Sequence, residues 1–263
     1  MRAEGLRVGV LAIDPSSPFT GGAILGDRVR MGDHALDRAV FIRSMATRGH
    51  LGGLAVATPQ AARVLDAAGC DRVLIETVGV GQVEVEVAGE ADTTVVVVNP
   101  GWGDAVQANK AGLMEIADVF VINKADRPGE ADTRRDLEQM LELSATTDGP
   151  APGPGAYGWH PPIVATVAST GAGVDELLIE IERHRAHLIA SGALAERRAA
   201  RLAGELQRVV AARLAERVAG LAGTPAYERL QAQVVDHRLD PWAAADQLLD
   251  ASGSPDGHAP PVR

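Results

Sequence analysis

The sequence predicts an α/β fold: a doubly wound, mostly parallel sheet flanked by helices, followed by a C-terminal helical appendage. Three observations carry this reading. Apolar, β-branched runs alternate along the chain with stretches of helical composition, the pattern of successive βα units. The strand-like runs are continuously apolar, as in Val8-Gly9-Val10-Leu11-Ala12-Ile13, which suits strands buried on both faces. These runs end in Asp14, Glu76 and Asn123, at the carboxyl ends where open α/β sheets bind their ligands.

The elements follow in order. The first strand, residues 7–13, ends in Asp14-Pro15-Ser16-Ser17, and a glycine-rich loop over residues 20–27 comes next. A polar stretch then holds a short apolar piece, Ala39-Val40-Phe41-Ile42. Thr58-Pro59 reads as a helix start, with threonine as N-cap, proline in the first turn and Gly69 as terminator. Residues 72–76 form a second strand leading into Thr77-Val78-Gly79-Val80-Gly81-Gln82, and residues 93–98 a third. Residues 104–116 are expected to be helical, 118–122 a fourth strand, and 131–143 a helix. Residues 144–160 are rich in Gly and Pro without periodicity and read as a loop. Residues 162–167 are a fifth strand, and 174–190 a helix. The sheet domain is expected to span residues 1–192. Residues 193–251 form a helical arm, opening on an Ala-, Arg-, Glu- and Leu-rich helix to residue 221. Thr224-Pro225 and Asp240-Pro241 start two more helices, and a Pro/Gly-rich tail over 252–263 is expected to be disordered.

Composition narrows the function. A net charge of −10 without a basic stripe argues against nucleic acid, and 3% aromatics leave no stacking platform for single strands. The single cysteine, Cys70, excludes a disulfide framework and a cysteine-built zinc site. No apolar run is long enough to span a bilayer and no signal peptide is visible, so no membrane partner and a cytoplasmic location are expected. The only lysines are Lys110 and Lys124.

Asn123-Lys124-Ala125-Asp126 carries the most specific chemistry. An N-K-x-D tetrapeptide at the end of a buried strand suits guanine. The aspartate accepts from the ring N–H and the exocyclic amine, a donor pair that adenine lacks. A bidentate contact of this kind discriminates by about 1–3 kcal/mol. The lysine stem lies along the base and the asparagine ties neighbouring loops. Glu76-Thr77-Val78-Gly79 suits a nucleotide hydrolase: a carboxylate near Mg²⁺, and a glycine whose N–H approaches the terminal phosphate. Asp14, at the end of the first strand, is a second magnesium candidate. Residues 21–26 have the spacing of a phosphate loop, but Asp27-Arg28 stands where lysine and a hydroxyl residue are needed. Gly79-Val80-Gly81 begins a dinucleotide fingerprint, but Glu84 occupies its third glycine position. His184 and His187, one turn apart, are expected to sit on a solvated helix face, and His50 to anchor a loop or approach the nucleotide or a partner. Arg197, Arg198 and Arg201 are expected on a solvated or dimer-facing surface.

Asp14-Pro15-Ser16-Ser17, Thr20-Gly21-Gly22, Leu25-Gly26-Asp27-Arg28-Val29-Arg30-Met31, Arg48-Gly49-His50-Leu51-Gly52-Gly53, Glu76 to Gln82 and Asn123 to Asp126 occur in that order. Together they closely resemble the methylmalonyl-CoA mutase-associated GTPases of the MeaB/ArgK type, over residues 8–249. The resemblance implies a P-loop NTPase-like fold, a GTP/GDP–Mg²⁺ site and a homodimer made through C-terminal helices. It further implies a partner, an adenosylcobalamin-dependent acyl-CoA mutase, whose cofactor delivery the family gates and which it protects. By position it assigns Asp14, Asp27 and Glu76 to magnesium, with Asp27 in switch I. It places Gly79 and Gln82 in switch II, and Lys110 in a segment that relays nucleotide state. Asn123, Lys124 and Asp126 read the base, and Val167, Ala168 and Ser169 stand where the family has its Ser-Ala turn over guanine. Val83 follows Gln82 where the family commonly has serine.

The family begins with a strand, a Gly-Lys-Ser phosphate loop and a helix ahead of the strand that starts here at Arg7, so an N-terminally truncated form is the expectation. Two alternatives stand beside the GTPase reading. One is an interaction module that binds without turnover. The other is a nickel-inserting GTPase, which would be expected to carry a His- or Cys-rich segment.

Overall fold

In a computed structural model of the protein, the described residues are 1–14, 31–34, 36–46, 51–77, 89–101, 116–145 and 158–253. Packing divides the chain into two units, Met1–Glu205 and Leu206–Arg263.

Among the described residues, the first unit contains two three-stranded parallel sheets. One has β1 (Val8–Asp14) at its centre, between β2 (Val40–Ala46) and β3 (Arg72–Thr77). Register pairs Ala12 with Ser44 on one side and with Glu76 on the other. Helix α1 (Leu51–Ala67) lies across the face of the odd-numbered β1 residues. A Cβ at Gly9 would come 2.7 Å from Leu65 Cδ1, so glycine there lets Leu65 sit directly on the strand. Ile13, Met45 and Ile75 form a small apolar cluster.

The second sheet runs β4 (Val95–Val98), β5 (Val119–Asn123), β6 (Ile163–Thr166), with β5 central. Helix α2 (Glu130–Ala145) covers one face, where Val96, Val98, Phe120, Ile122 and Leu137 pack together. Helix α3 (Val174–Ala190) covers the other, packing Leu177 against Val119, Val121 and Val164. Residues of β5 that alternate in sequence therefore enter two different cores, which is why the run reads as uniformly apolar.

Helix α4 (Ala193–Leu221) follows, and the second unit is completed by α5 (Pro225–Val235) packed on α6 (Pro241–Gly253). The expected caps form: Thr224 Oγ1 accepts from Tyr227 N at 3.3 Å, and Asp240 Oδ1 accepts from Trp242 N at 2.9 Å and Ala243 N at 3.1 Å. Among the described residues no helix is long and apolar enough to cross a membrane.

The structure corrects several expectations. Thr58-Pro59 does not open a helix; α1 begins at Leu51 and carries Pro59 inside it. The proline removes one i→i−4 hydrogen bond, and Thr58, Pro59 and Leu65 are buried, so packing of this face offsets the loss. The apolar piece at Val40 is the start of a full strand. Its polar residues Arg43 and Ser44 hid it, because an edge strand is not buried all round. His184 is not solvated: it is 0% exposed. Its Nδ1 lies 2.9 Å from Thr93 Oγ1, and Trp159 tilts over the ring at 4.9 Å. Nor are the arginines at the start of α4 a free surface. Arg197 donates from Nη1 and Nη2 to Asp118 Oδ1, each at 3.2 Å, and Arg198 and Arg201 both donate to Asp92.

Candidate guanine-nucleotide site

The best-defined part of the site lies at the carboxyl end of the second sheet. Asn123 closes β5 level with Thr166 of β6. Its Oδ1 accepts from Ala168 N at 3.1 Å and from Thr166 Oγ1 at 3.3 Å. Both partners are donors, which identifies the contacting atom as the carbonyl oxygen. Ala125 N donates to Thr166 O at 3.0 Å, so the segment after β5 and the segment after β6 are stitched into one rim. Lys124 holds φ at +59°, a left-handed conformation uncommon for a residue with a Cβ and concentrated at functional sites. That turn leaves Lys124 and Asp126 exposed, and among the described residues no hydrogen bond or ion pair involves the Asp126 carboxylate.

The second half of the rim is built from residues 167–173. Val167 N donates to Ala172 O at 2.9 Å, and Thr170 N and Gly171 N both donate to Val167 O at 3.0 Å. Gly173, at φ +76°, lets the start of α3 approach β6 closely, since a Cβ would meet Ala165 O at 2.0 Å. Ala168 and Ser169 are thereby presented at the surface, with Val167 half-buried beneath them. Thr166 was not singled out in the sequence. Its position as the last residue of a strand level with Asn123 was the available signal.

The acidic half lies at the carboxyl end of the first sheet. Glu76 projects to the same face as Ala12 of β1, and Asp14 ends β1 two residues further along. Glu76 Oε2 is buried without a hydrogen-bond partner. A buried carboxylate oxygen with no donor costs about 1–3 kcal/mol or more, a cost that a donating water relieves, whether or not a cation stands nearby. Mg²⁺ is held by one or two carboxylates and keeps most of its waters, so Glu76 and Asp14 fit it chemically. Among the described residues no group of three His, Cys, Asp or Glu assembles. The backbone of Asp14 is described but its side chain is not, and Asp27, Gly79, Gln82, Lys110 and His50 lie outside the described residues.

Parallel sheets with helices on both faces of β5, and a rim of two stitched segments at the strand ends, define the class: an α/β protein with a P-loop NTPase-like fold. Comparison narrows this further. A family model described as "Methylmalonyl Co-A mutase-associated GTPase MeaB" matches residues 1–222, and the chain belongs to that family. A Pyrococcus horikoshii protein named as a GTPase is 51% identical over 249 residues, covering 95% of this chain and 76% of that protein. The GTPase ArgK of Escherichia coli is 41% identical over 194 residues, 73% of this chain and 56% of that protein. The mouse protein named methylmalonic aciduria type A homolog, mitochondrial, is 33% identical over 255 residues, 94% of this chain and 59% of that protein. Among solved structures, a LAO/AO transport system kinase superposes with a TM-score of 0.63 at 26% identity, covering 96% of this chain and 74% of that one.

Proposed function

We propose that this chain binds GTP and GDP with Mg²⁺ and serves, as a homodimer, as a GTP-hydrolysing chaperone of an adenosylcobalamin-dependent methylmalonyl-CoA-type mutase. In this role it gates cofactor delivery and protects the mutase. The observation that carries the nucleotide reading is the rim itself: Asn123 locks the two strand-end segments together, and Asp126 stands free on the left-handed turn at Lys124. Asp126 accepts from the two guanine donors. Ala168 and Ser169 cover the base, with Val167 as their support. Asp14, Glu76 and Asp27 hold the metal, which when bound compensates phosphate charge. Gly79 offers a backbone N–H to the terminal phosphate, while Gln82 and Lys110 relay its presence. The mutase reading is supported by the family to which the chain belongs.

Competition of GDP and ADP against a fluorescent guanine nucleotide tests the base reading. The expected preference for GDP is about 5- to 150-fold, corresponding to about 1–3 kcal/mol, and Asp126→Asn should collapse it; equal affinity for GDP and ADP would sink the reading. Calorimetric titration with the mutase, in GDP and in a non-hydrolysable GTP analogue, tests the partner. A nucleotide-independent or absent heat of binding would count against it.

A further inference from the structure

Two buried polar atoms on the first sheet lack partners and share one row. Ser44 Oγ on β2 and Glu76 Oε2 on β3 are each buried without a hydrogen bond, and both residues are in register with Ala12 on β1 between them. Register partners on parallel strands project to the same face. Helix α1 packs on the other face, through Leu65 against Gly9, so it offers this pair no donor. Their Cα atoms are two strand spacings apart, about 9.6 Å. The residue that separates them is fully buried and carries only a methyl group. The glutamate's longer side chain can lean across that methyl towards the serine. A hydroxyl thus stands on one side of Ala12 and a carboxylate on the other, two groups between which a buried water can make at least two hydrogen bonds.

We propose that Ser44 is a positioning residue. Its hydroxyl, through one buried water above Ala12, fixes the Glu76 carboxylate and leaves the second carboxylate oxygen for the metal. The water donates to Glu76, which only accepts, and exchanges its other hydrogen bond with the serine hydroxyl, which both donates and accepts. The bridge itself stands on the sheet register; its role toward the metal rests on the Mg²⁺-nucleotide reading above.

Two measurements on the full chain separate these levels. The first is urea unfolding of the wild type, Ser44→Ala, Glu76→Met and the double variant, without metal or nucleotide. Side chains this far apart with no shared partner lose stability additively, whereas members of one hydrogen-bond network do not. Clear non-additivity is expected, and additive losses would overturn the bridge. The second is Mn²⁺ affinity in the presence of GDP, read by electron paramagnetic resonance. Removing a group that orients a metal ligand costs about tenfold or more, so Ser44→Ala should weaken Mn²⁺ by about that factor. Ser44→Thr, which keeps the hydroxyl, should recover most of it. If Glu76→Met weakens Mn²⁺ while Ser44→Ala does not, the positioning role falls and the metal reading stands. If the wild type takes up no Mn²⁺ with GDP, the metal reading and the positioning role fall together, and the unfolding cycle alone decides whether the bridge exists.

Discussion

At the scale of single residues, the proposed base recognition divides between Asn123, whose part is structural, and Asp126, whose part is chemical. Asn123 uses only its carbonyl oxygen, as acceptor for Ala168 N–H and the Thr166 hydroxyl. Asn123→Ala leaves both donors without this partner and should cost about 1–2 kcal/mol in urea unfolding, with guanine-nucleotide affinity falling about tenfold as the rim loosens. Asn123→Asp retains an acceptor in the same place and should keep most of the stability. If alanine and aspartate behave alike, the rim is not held in this way. The same residues show what a sequence reveals. The place of Asn123-Lys124-Ala125-Asp126 at the end of a buried strand was legible from the apolar run before it. The left-handed φ of Lys124 was not, because lysine carries no local preference for it; the stitching of the chain around it holds that conformation.

At the scale of elements, α4 is anchored by ion pairs that its sequence does not announce. Arg197, Arg198 and Arg201 look like a solvated stripe of a long amphipathic helix until their partners are known, and those partners lie far away in sequence at Asp92 and Asp118. His184 was misread for the same reason: only tertiary contacts with Thr93, Asp118 and Trp159 bury it. Its Nε2 sits 3.2 Å from Asp118 Oδ1 but without hydrogen-bond alignment. Most strands and helices, by contrast, were legible because burial on both faces and helical composition are written locally. The Asp92 anchor has a pH signature. Burial pushes its carboxyl up, but hydrogen bonds from Arg198 and Arg201 more than offset this and hold it below the ordinary 3.8. A carboxyl depressed in the folded state binds protons more readily when unfolded. Its stabilisation is therefore full above about pH 4 and is lost as pH falls through the lower folded value. Arg198→Ala/Arg201→Ala should cost about 1–3 kcal/mol at neutral pH by leaving a half-buried carboxylate without these donors. Its deficit against wild type should shrink as unfolding is repeated from pH 6 down to pH 2. A deficit that stays constant across that range would show that Asp92 is not the anchor.

At the scale of the whole molecule, the proposed homodimer has a surface suited to it. On α4, Leu206, Val210, Leu214 and Val218 are each about half exposed or more, and they recur every four residues. Such a row is one of the ridges by which helices interlock. The adjacent row, Gln207, Ala211, Ala215 and Ala219, is also exposed and mostly alanine, forming a shallow groove beside the ridge. A second copy of the helix laid antiparallel sets Leu206 against Ala219, Val210 against Ala215, and Leu214 against Ala211, so ridge and groove fit their own copies under a two-fold axis. Packing along these rows favours a crossing angle near −50°. Each Leu or Val is already about half covered, so burying the rest contributes about half of the ~1.5–3 kcal/mol of full burial, and the row appears twice in a symmetric interface. Leu214→Glu puts a charge against the partner's Ala211 and should yield a monomer in sedimentation velocity, with an unchanged circular dichroism spectrum. Glu216→Lys, two residues on and so on the far side of the helix, should leave the dimer intact. A wild-type chain that sediments as a monomer, or a Leu214→Glu variant that still dimerises, would remove α4 as the seam. The rim on the first unit would be unaffected by either result, because among the described residues none of its hydrogen bonds involves this helix.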